Sequence, residues 1–501
     1  MEKILLINPN QIYYTKTYRE SAQGSIGLPL GLLYVASVLE KKGCHVQVVD
    51  SLATEHTTMQ RFRDHVEYGI PSEVLGRIIE ESKPHLVGIS SQFATQEESV
   101  FRTAKLVKTI SDSIPVVVGG ANVSCRSREL LRNEHIDIAV KSEGETVIQE
   151  IIDFYRGSKE LGSIKGIAFR EGDCIEESDG RLPIKNMDEI PFPAYHLVDM
   201  EKYLTLYKKG IYTRDRDVKR NISMITSRGC PYHCVFCSIG QTMGRAWRAH
   251  SPGYVIRHVQ KLVETYNIRH LHFEDDNLLL DPDRFLPILD ALAREKVTWD
   301  TPNGIRVNLA LHENMLRKMT QAGCKSLTIG VESGDQSILN DVVKKRLKLD
   351  QVEEFARRCK KVKLPLRAFF VLGFPGETME TMQKTADFAL HLLEAYDVET
   401  INLIATPLYG TELYEICDKN HYFSKEITPR TLSESTVSDG RGLINTESFS
   451  AQDVERMSQD LTARVYRRLL WKGIAHPIKS LKRVGNLYIL KRTLKRMARS
   501  R

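Results

Sequence analysis

Ser227-Arg228-Gly229-Cys230-Pro231-Tyr232-His233-Cys234-Val235-Phe236-Cys237 is the stretch on which the reading of this 501-residue chain turns. Three of its nine cysteines sit there at C-x3-C-x2-C spacing. So short a loop can turn three thiolates toward one cubic iron–sulfur cluster, for which four cysteine thiolates are the common ligand set. With three at hand, one iron is left open to a ligand that is not protein. Two other readings stand beside this one. Zinc would take His233 as fourth ligand, or three protein ligands and water, since no second cysteine pair is present, or the three could be inert buried thiols. Cys44, Cys125, Cys174, Cys324, Cys359 and Cys417 are scattered and read as ordinary thiols.

Downstream of residue 221 the pattern strand, loop, helix repeats about six times. Strand candidates are residues 222–226, 270–273, 298–302, 326–330, 366–372 and 400–405. A βα barrel gathers its chemistry at the C-terminal ends of its strands. Those ends carry Glu274-Asp275-Asp276-Asn277, Asn303-Gly304-Ile305-Arg306, Glu332-Ser333-Gly334, Gly373-Phe374-Pro375-Gly376-Glu377 and Thr406-Pro407-Leu408-Tyr409-Gly410. The acidic cluster also reads as a solvated helix start near Asp281. His270 and His272, alternating on one strand, read as packing residues rather than metal ligands.

The cysteine loop and the elements after it resemble the radical S-adenosylmethionine (SAM) superfamily. The resemblance implies a partial (β/α)6 TIM-type barrel at residues 221–424. Cys230, Cys234 and Cys237 would hold a [4Fe-4S] cluster whose fourth iron is chelated by SAM. One electron would then cleave SAM to methionine and a 5′-deoxyadenosyl radical. Phe236 is expected near adenine. Glu274 or Asp275 is expected at the amino group of SAM or at substrate, Asn303 at SAM, and Arg306 at the SAM carboxylate. Glu332 is expected at the ribose hydroxyls, and Gly373 and Gly376 where backbone amides approach the cofactor. Tyr409 departs from the family, whose members often have proline there.

Upstream, residues 1–150 read as an open α/β unit. Apolar segments at 4–7, 46–49, 86–90, 116–118 and 136–140 look like buried parallel strands alternating with helices, a doubly wound (Rossmann-like) sheet. Such sheets bind ligands outside the C-terminal strand ends, here Asn8, Ser90-Ser91-Gln92, Gly119-Gly120-Ala121 and Glu143-Gly144-Glu145. Neither a dinucleotide fingerprint nor a P-loop is present. Together with Gly27-Leu28-Pro29-Leu30-Gly31-Leu32 and Val87-Gly88-Ile89-Ser90, these segments resemble the cobalamin-binding domain that precedes many radical SAM domains. The resemblance implies cobalamin at Asn8, Ser90, Ser91, Gln92, Gly119, Gly120, Ala121, Glu143 and Gly144. No D-x-H-x-x-G motif is present, so the implied state is base-off and histidine-off. The alternative is a sheet that kept the fold without the cofactor.

Residues 151–220 read as a linker with a small hairpin at 166–175, an extended Ile190-Pro191-Phe192-Pro193 and an aperiodic basic stretch at 203–220. Residues 425–501 read as a helical C-terminal region, with Val454, Met457, Leu461 and Val465 on one face. From Lys472 to Arg501 there are ten Lys/Arg and no Asp/Glu; subtracting these from the net +7 leaves −3 on the rest. A slightly acidic body argues against a nucleic-acid groove. The basic helix pattern at 481–497 could lie on an anionic membrane surface, and a helix packed on the barrel or an unstructured tail are its alternatives. No apolar run is long enough to span a bilayer. The first residues read as a strand, not an export signal, and an odd cysteine count suits a reducing cytoplasm, with the inner membrane surface as a peripheral site.

The expected activity is thus that of a cobalamin-dependent radical SAM enzyme methylating an unactivated carbon (or phosphorus) of a small-molecule or lipid-like substrate, fed by an electron donor such as flavodoxin or ferredoxin. The resemblance implies that cobalt takes a methyl group from one SAM and passes it to a substrate radical made by a second. A non-methylating cyclase or rearrangement enzyme, and more remotely a cobalamin-sensing module, are the alternatives.

Overall fold

The computed structural model describes residues 2–14, 27–180, 183–208, 220–307, 312–436 and 440–475. Its first sheet contains β1 (Lys3–Asn8), β2 (His45–Asp50), β3 (Leu86–Ser90), β4 (Val116–Gly119) and β5 (Ile138–Val140), in the spatial order β5-β4-β3-β1-β2, all parallel. This is the doubly wound order whose switch point lies between β1 and β3. The run Ile4-Leu5-Leu6-Ile7 shows why it forms. Ile4 and Leu6 enter one core while Leu5 and Ile7 enter the other, so the strand is buried on both faces. Helices Leu30–Lys41 and Gly144–Tyr155 cover one face, Ser72–Ser82 and Glu97–Ile110 the other.

The hairpin expected in the linker is present as β6 (Ile167–Glu171) and β7 (Cys174–Glu177), but it extends the first sheet: β6 pairs antiparallel with β5. The rest of the connector is strapped to both halves. The Ala194 amide donates to the Leu33 carbonyl (3.0 Å), Tyr254 Oη donates to the Ile190 carbonyl (3.0 Å), and the Tyr203 hydroxyl donates to Asp50. Of the basic stretch at 203–220, residues 209–219 lie outside the described residues.

The second sheet runs β8 (Asn221–Met224), β9 (His270–Phe273), β10 (Thr298–Asp300), β11 (Cys324–Glu332), β12 (Leu366–Leu372) and β13 (Glu399–Ile404), parallel and in chain order. Caps fix where the intervening helices begin. Ser251, Asp281 and Thr378 each accept an N3 amide, and Pro252 and Pro282 occupy first-turn positions where no amide partner is needed. Strand periodicity separates two faces. Ile222, Leu271, Trp299, Leu327 and Ile329 pack under the helices. The inner face is polar and cross-linked. His272 Nδ1 lies 2.6 Å from Asp300 Oδ1 and its Nε2 3.3 Å from Asn221 Oδ1, His270 Nδ1 lies 2.8 Å from Thr298 Oγ1, and Ser223 donates to Glu274. The two histidines are therefore partners in a buried polar network with Asp300.

Helix Ala451–Ala475 closes the barrel side. Val454, Leu461 and Val465 are buried, Met457 packs beside them, and Asn402 on β13 donates to the Ser458 carbonyl (3.1 Å) and hydroxyl (2.8 Å). The basic segment 481–497 lies outside the described residues, among which no helix is long and apolar enough to cross a membrane.

Candidate active site

The cysteine loop leaves β8 through Ser227–Arg228, which pairs antiparallel with Arg248–Ala249. Gly229 then turns the chain at φ +83°, where an added Cβ would stand 2.4 Å from the Ala246 carbonyl oxygen; only glycine fits. The barrel holds the loop from several sides. Asp276 Oδ2 accepts the Gly229 amide (2.8 Å), Val343 O accepts the Val235 amide (3.2 Å), and the Leu413 amide donates to Val235 O (2.9 Å). Asp275 is fully buried and accepts the Thr226 amide, Thr226 Oγ1 (2.7 Å) and Ser227 Oγ (2.6 Å). Asp275, expected at SAM, is thus turned inward as the brace of the strand end, because the two hydroxyls before the loop consume its acceptor positions.

Cys230, Cys234 and Cys237 are free and half-buried, and burial pushes the Cys230 thiol up and that of Cys237 up to about 11. Among the described residues only His270, His272 and Asp300 bring three ligand atoms within 4.8 Å of one another. His233 is exposed. The donor set fits a multi-iron cluster, whose positive charge would offset three thiolates in place of thiols.

Buried polar atoms without a hydrogen-bond partner among the described residues mark this region: Arg306 Nε, Asn277 Oδ1 and Glu377 Oε1. Asn277 Nδ2 lies 4.0 Å from Cys230 Sγ. The Arg306 guanidinium stacks on Tyr232 of the cysteine loop (3.5 Å to the ring centre) and donates to the Lys345 carbonyl. Lys345 Nζ pairs with Glu332 Oε1 (2.6 Å), and a side chain at Gly330 would collide with both. Glu332 itself sits at φ +73°, a strained setting for a non-glycine residue. Asn303 Nδ2 donates to the Glu274 carbonyl (2.9 Å), and Phe236 and Phe374 face each other at 5.9 Å. Glu377 Oε2 accepts the Gly373 and Phe374 amides (2.7 and 2.8 Å), and burial pushes its carboxyl up to about 7. The two glycines of this turn clear protein, not an open space: a Cβ on Gly373 would meet Val454 at 2.8 Å, and one on Gly376 would meet Val342 at 2.9 Å. Lys345 and Glu377 escaped the sequence reading. Glu377 stands inside the quoted glycine motif, whereas Lys345 carries no local signal.

On the first sheet Asn8 is tied to Asp50 (2.8 Å). Gly120, at φ +124°, would place a Cβ 2.6 Å from the Ser91 carbonyl oxygen, and Asn122 Nδ2 donates to Ser91 Oγ (3.0 Å). Ser90, Gly119 and Ala121 flank this lock, and Gln92 and Phe93 project from it, Phe93 being 59% exposed. Small turns beside an exposed aromatic ring suit a bulky planar ligand. Glu143 departs from expectation. It is 5% exposed and its carboxylate faces Arg228 (3.0 Å) and Arg248 (2.7 Å) of the barrel, while Glu145 takes Arg228 at 2.6 Å. The carboxylates after β5 therefore point to the cysteine loop, while Gly144 between them faces Val35 and Val140 of its own domain. Across the cleft, the Arg126 guanidinium lies 4.1 Å from the Tyr409 ring centre and pairs with Glu97, and Gly410 abuts Cys125. Tyr409, the departure noted in the sequence, is thus an interdomain contact.

A three-thiol loop at the mouth of a half-barrel, joined edge to edge with a doubly wound sheet, defines an enzyme that pairs SAM at an iron–sulfur cluster with a corrinoid. Comparison agrees. The radical SAM superfamily matches residues 224–389 and the B12 binding domain residues 22–152. An uncharacterized methyltransferase of Pyrococcus horikoshii is 32% identical over 420 residues, 84% of each chain. The cytidylyl-2-hydroxyethylphosphonate methyltransferase of Streptomyces wedmorensis is 27% identical, covering 85% of this chain and 83% of that one. The structure of the cobalamin-dependent SAM radical enzyme OxsB with aqua-cobalamin and SAM bound superposes with a TM-score of 0.70 at 16% identity, over 100% of this chain and 71% of that one. The chain belongs to the radical SAM superfamily, in the branch that carries a B12-binding domain, and its cofactors are a [4Fe-4S] cluster, SAM and cobalamin.

Proposed function

We propose that this enzyme transfers a methyl group from SAM to an unactivated carbon, or to phosphorus, of a polar small molecule. The observation that carries the reading is the joining of the first sheet's C-terminal end to the mouth of the barrel, Glu143 and Glu145 pairing with Arg228 and Arg126 lying on Tyr409. It supports both cofactors serving the same substrate atom. The methyltransferase names of the relatives support the same chemistry. When bound, the cofactors supply homolysis of the sulfonium and carriage of the methyl group.

The chain's own residues orient and exclude. Arg306 Nε, buried without an acceptor, suits the SAM carboxylate. Glu332, held by Lys345 through one oxygen, keeps the other for the ribose diol. Phe236, half-buried in the cysteine loop, offers an aromatic face for adenine, and Asn303 and Glu274 complete the rim. Asn8, Ser90, Ser91, Gln92, Gly119, Gly120 and Ala121 line the corrin side, with cobalamin base-off and histidine-off. The polar inner face around Ser223, His272, Glu274 and Asp300 favours a hydrogen-bonding substrate over a lipid. An external donor of the flavodoxin or ferredoxin class supplies electrons.

The test is anaerobic incubation of the reconstituted enzyme with methyl-labelled SAM, reductant and fractionated cell extract. Label should enter a water-soluble product. Label confined to lipid would overturn the substrate class, and 5′-deoxyadenosine without labelled product would point to cyclisation or rearrangement.

A further inference from the structure

We propose that Glu143, Glu145, Arg228 and Arg248 form a clasp that sets the gap between the corrinoid domain and the cysteine loop, and so controls methyl loading of the corrinoid rather than cleavage of SAM. This rests on the cobalamin-carrier reading above.

Arg228 and Arg248 are directly paired across the short antiparallel ladder that opens the cysteine loop. Two like charges opposed on a ladder repel, and burial intensifies the cost. Their counter-charges come from the other domain. One Glu143 oxygen takes each arginine, its second oxygen also accepts the Ile184 amide (2.9 Å), and Glu145 takes Arg228. All four residues are at most 8% exposed, and one residue, Gly229, separates Arg228 from Cys230. Arg248 also donates to the Ile184 and Met243 carbonyls (2.9 and 2.6 Å), and the Tyr34 ring lies 5.2 Å from the Arg228 guanidinium. Both carboxylates lie in the first turn of helix Gly144–Tyr155 or at its cap, where the helix dipole favours them.

Among the described residues, residues 226–237 are otherwise supported from the barrel, Asp275 on Thr226 and Ser227, Asp276 on Gly229, Val343 and Leu413 on Val235, while Ser142 Oγ of the first domain donates to the Thr242 carbonyl (2.9 Å) just after the loop. Loss of Glu143 therefore loosens the first domain while the loop keeps its shape. With both cofactors bound, loading would break the S–CH3 bond of SAM, leaving that electron pair on sulfur as S-adenosylhomocysteine, and the methyl group would pass to the electron pair of the reduced corrinoid. It needs the sulfonium and the corrin at a fixed distance. Reductive cleavage needs only SAM and the cluster.

The experiment uses full-length holoenzyme with titanium(III) citrate as reductant and no substrate, and compares wild type with Glu143→Gln and the charge-balanced double variant Glu143→Gln/Arg248→Gln. In Glu143→Gln, 5′-deoxyadenosine formed per cluster should stay within about twofold, while corrinoid methylation, read from its visible spectrum, falls at least tenfold. Hydrogen exchange of the apo-protein should quicken about tenfold at residues 142–146 and stay unchanged at 226–237. The double variant should recover thermal stability without recovering loading. Parallel loss of both reactions, faster exchange in the cysteine loop, or full loading in either variant would overturn the clasp alone. A wild-type enzyme that cleaves SAM yet never methylates its corrinoid would overturn the carrier reading, and the clasp with it.

Discussion

The two sheets are joined at their C-terminal ends but line those ends differently. The first ends in small side chains locked by backbone contacts, Ser91 against Gly120 and Asn122 against Ser91. The barrel ends in charges and buried polar atoms: Arg306 on Tyr232, Lys345 with Glu332, Glu377 on the glycine turn. A large, flat, uncharged-edged macrocycle needs room and shape, whereas a zwitterionic sulfonium needs directed charge. Each edge suits one of these ligands, and the contrast predicts that damage to one should spare the other.

The largest effect should come from the barrel edge. Replacing any of Cys230, Cys234 and Cys237 by Ala should abolish iron–sulfur absorption and SAM cleavage, while cobalamin, read by its spectrum after desalting, is still retained. Lys345→Met should come next. It leaves the Glu332 carboxylate buried and unpaired, a change worth about 3–5 kcal/mol, and should weaken SAM binding at least tenfold by calorimetry with cobalamin affinity unmoved. On the other edge, Gly120→Ala combines a collision with Ser91 and a positive φ, of order 1–3 kcal/mol. It should release cobalamin about tenfold more readily and leave SAM cleavage per cluster intact. Equal damage to both cofactors by any of these variants would break the comparison.

The smallest effect is common to both halves. His250, stacked on Tyr254, and His258 against Phe192 and Tyr195 lie at the connector, and burial lowers them to about 4 and about 3. A histidine kept neutral in the fold contributes stability that is full above the unfolded value of 6.5 and lost as pH falls from there toward the folded value. At pH 5.5 the loss is about 1.4 kcal/mol per histidine, seen as a Tm a few degrees lower than at pH 7.5.

What the sequence disclosed follows the range of each interaction. The cysteine loop was legible because its spacing is local, and the strands because each announces its own burial. Glu143 was misplaced because it sits 85 residues from Arg228, and a carboxylate at a strand end looks the same whether it meets a ligand or a distant arginine. Asp275 and Glu274 are adjacent, yet only pairing with Thr226 and Ser227 distinguishes the inward one. Gly373 reads as a cofactor contact until the C-terminal helix brings Val454 against it. Pairing of the hairpin with β5 was hidden because edge strands of either sheet carry the same short pattern.

The paired guanidinium and carboxylate groups between the halves sum to zero charge and are shielded from water. Mobile ions screen exposed charges over about 10 Å at 0.1 M but reach such a sealed quartet poorly. The width of the cleft should accordingly be indifferent to ionic strength, so that the approach of cobalt to sulfonium carbon is the same in dilute buffer as in a concentrated cell interior.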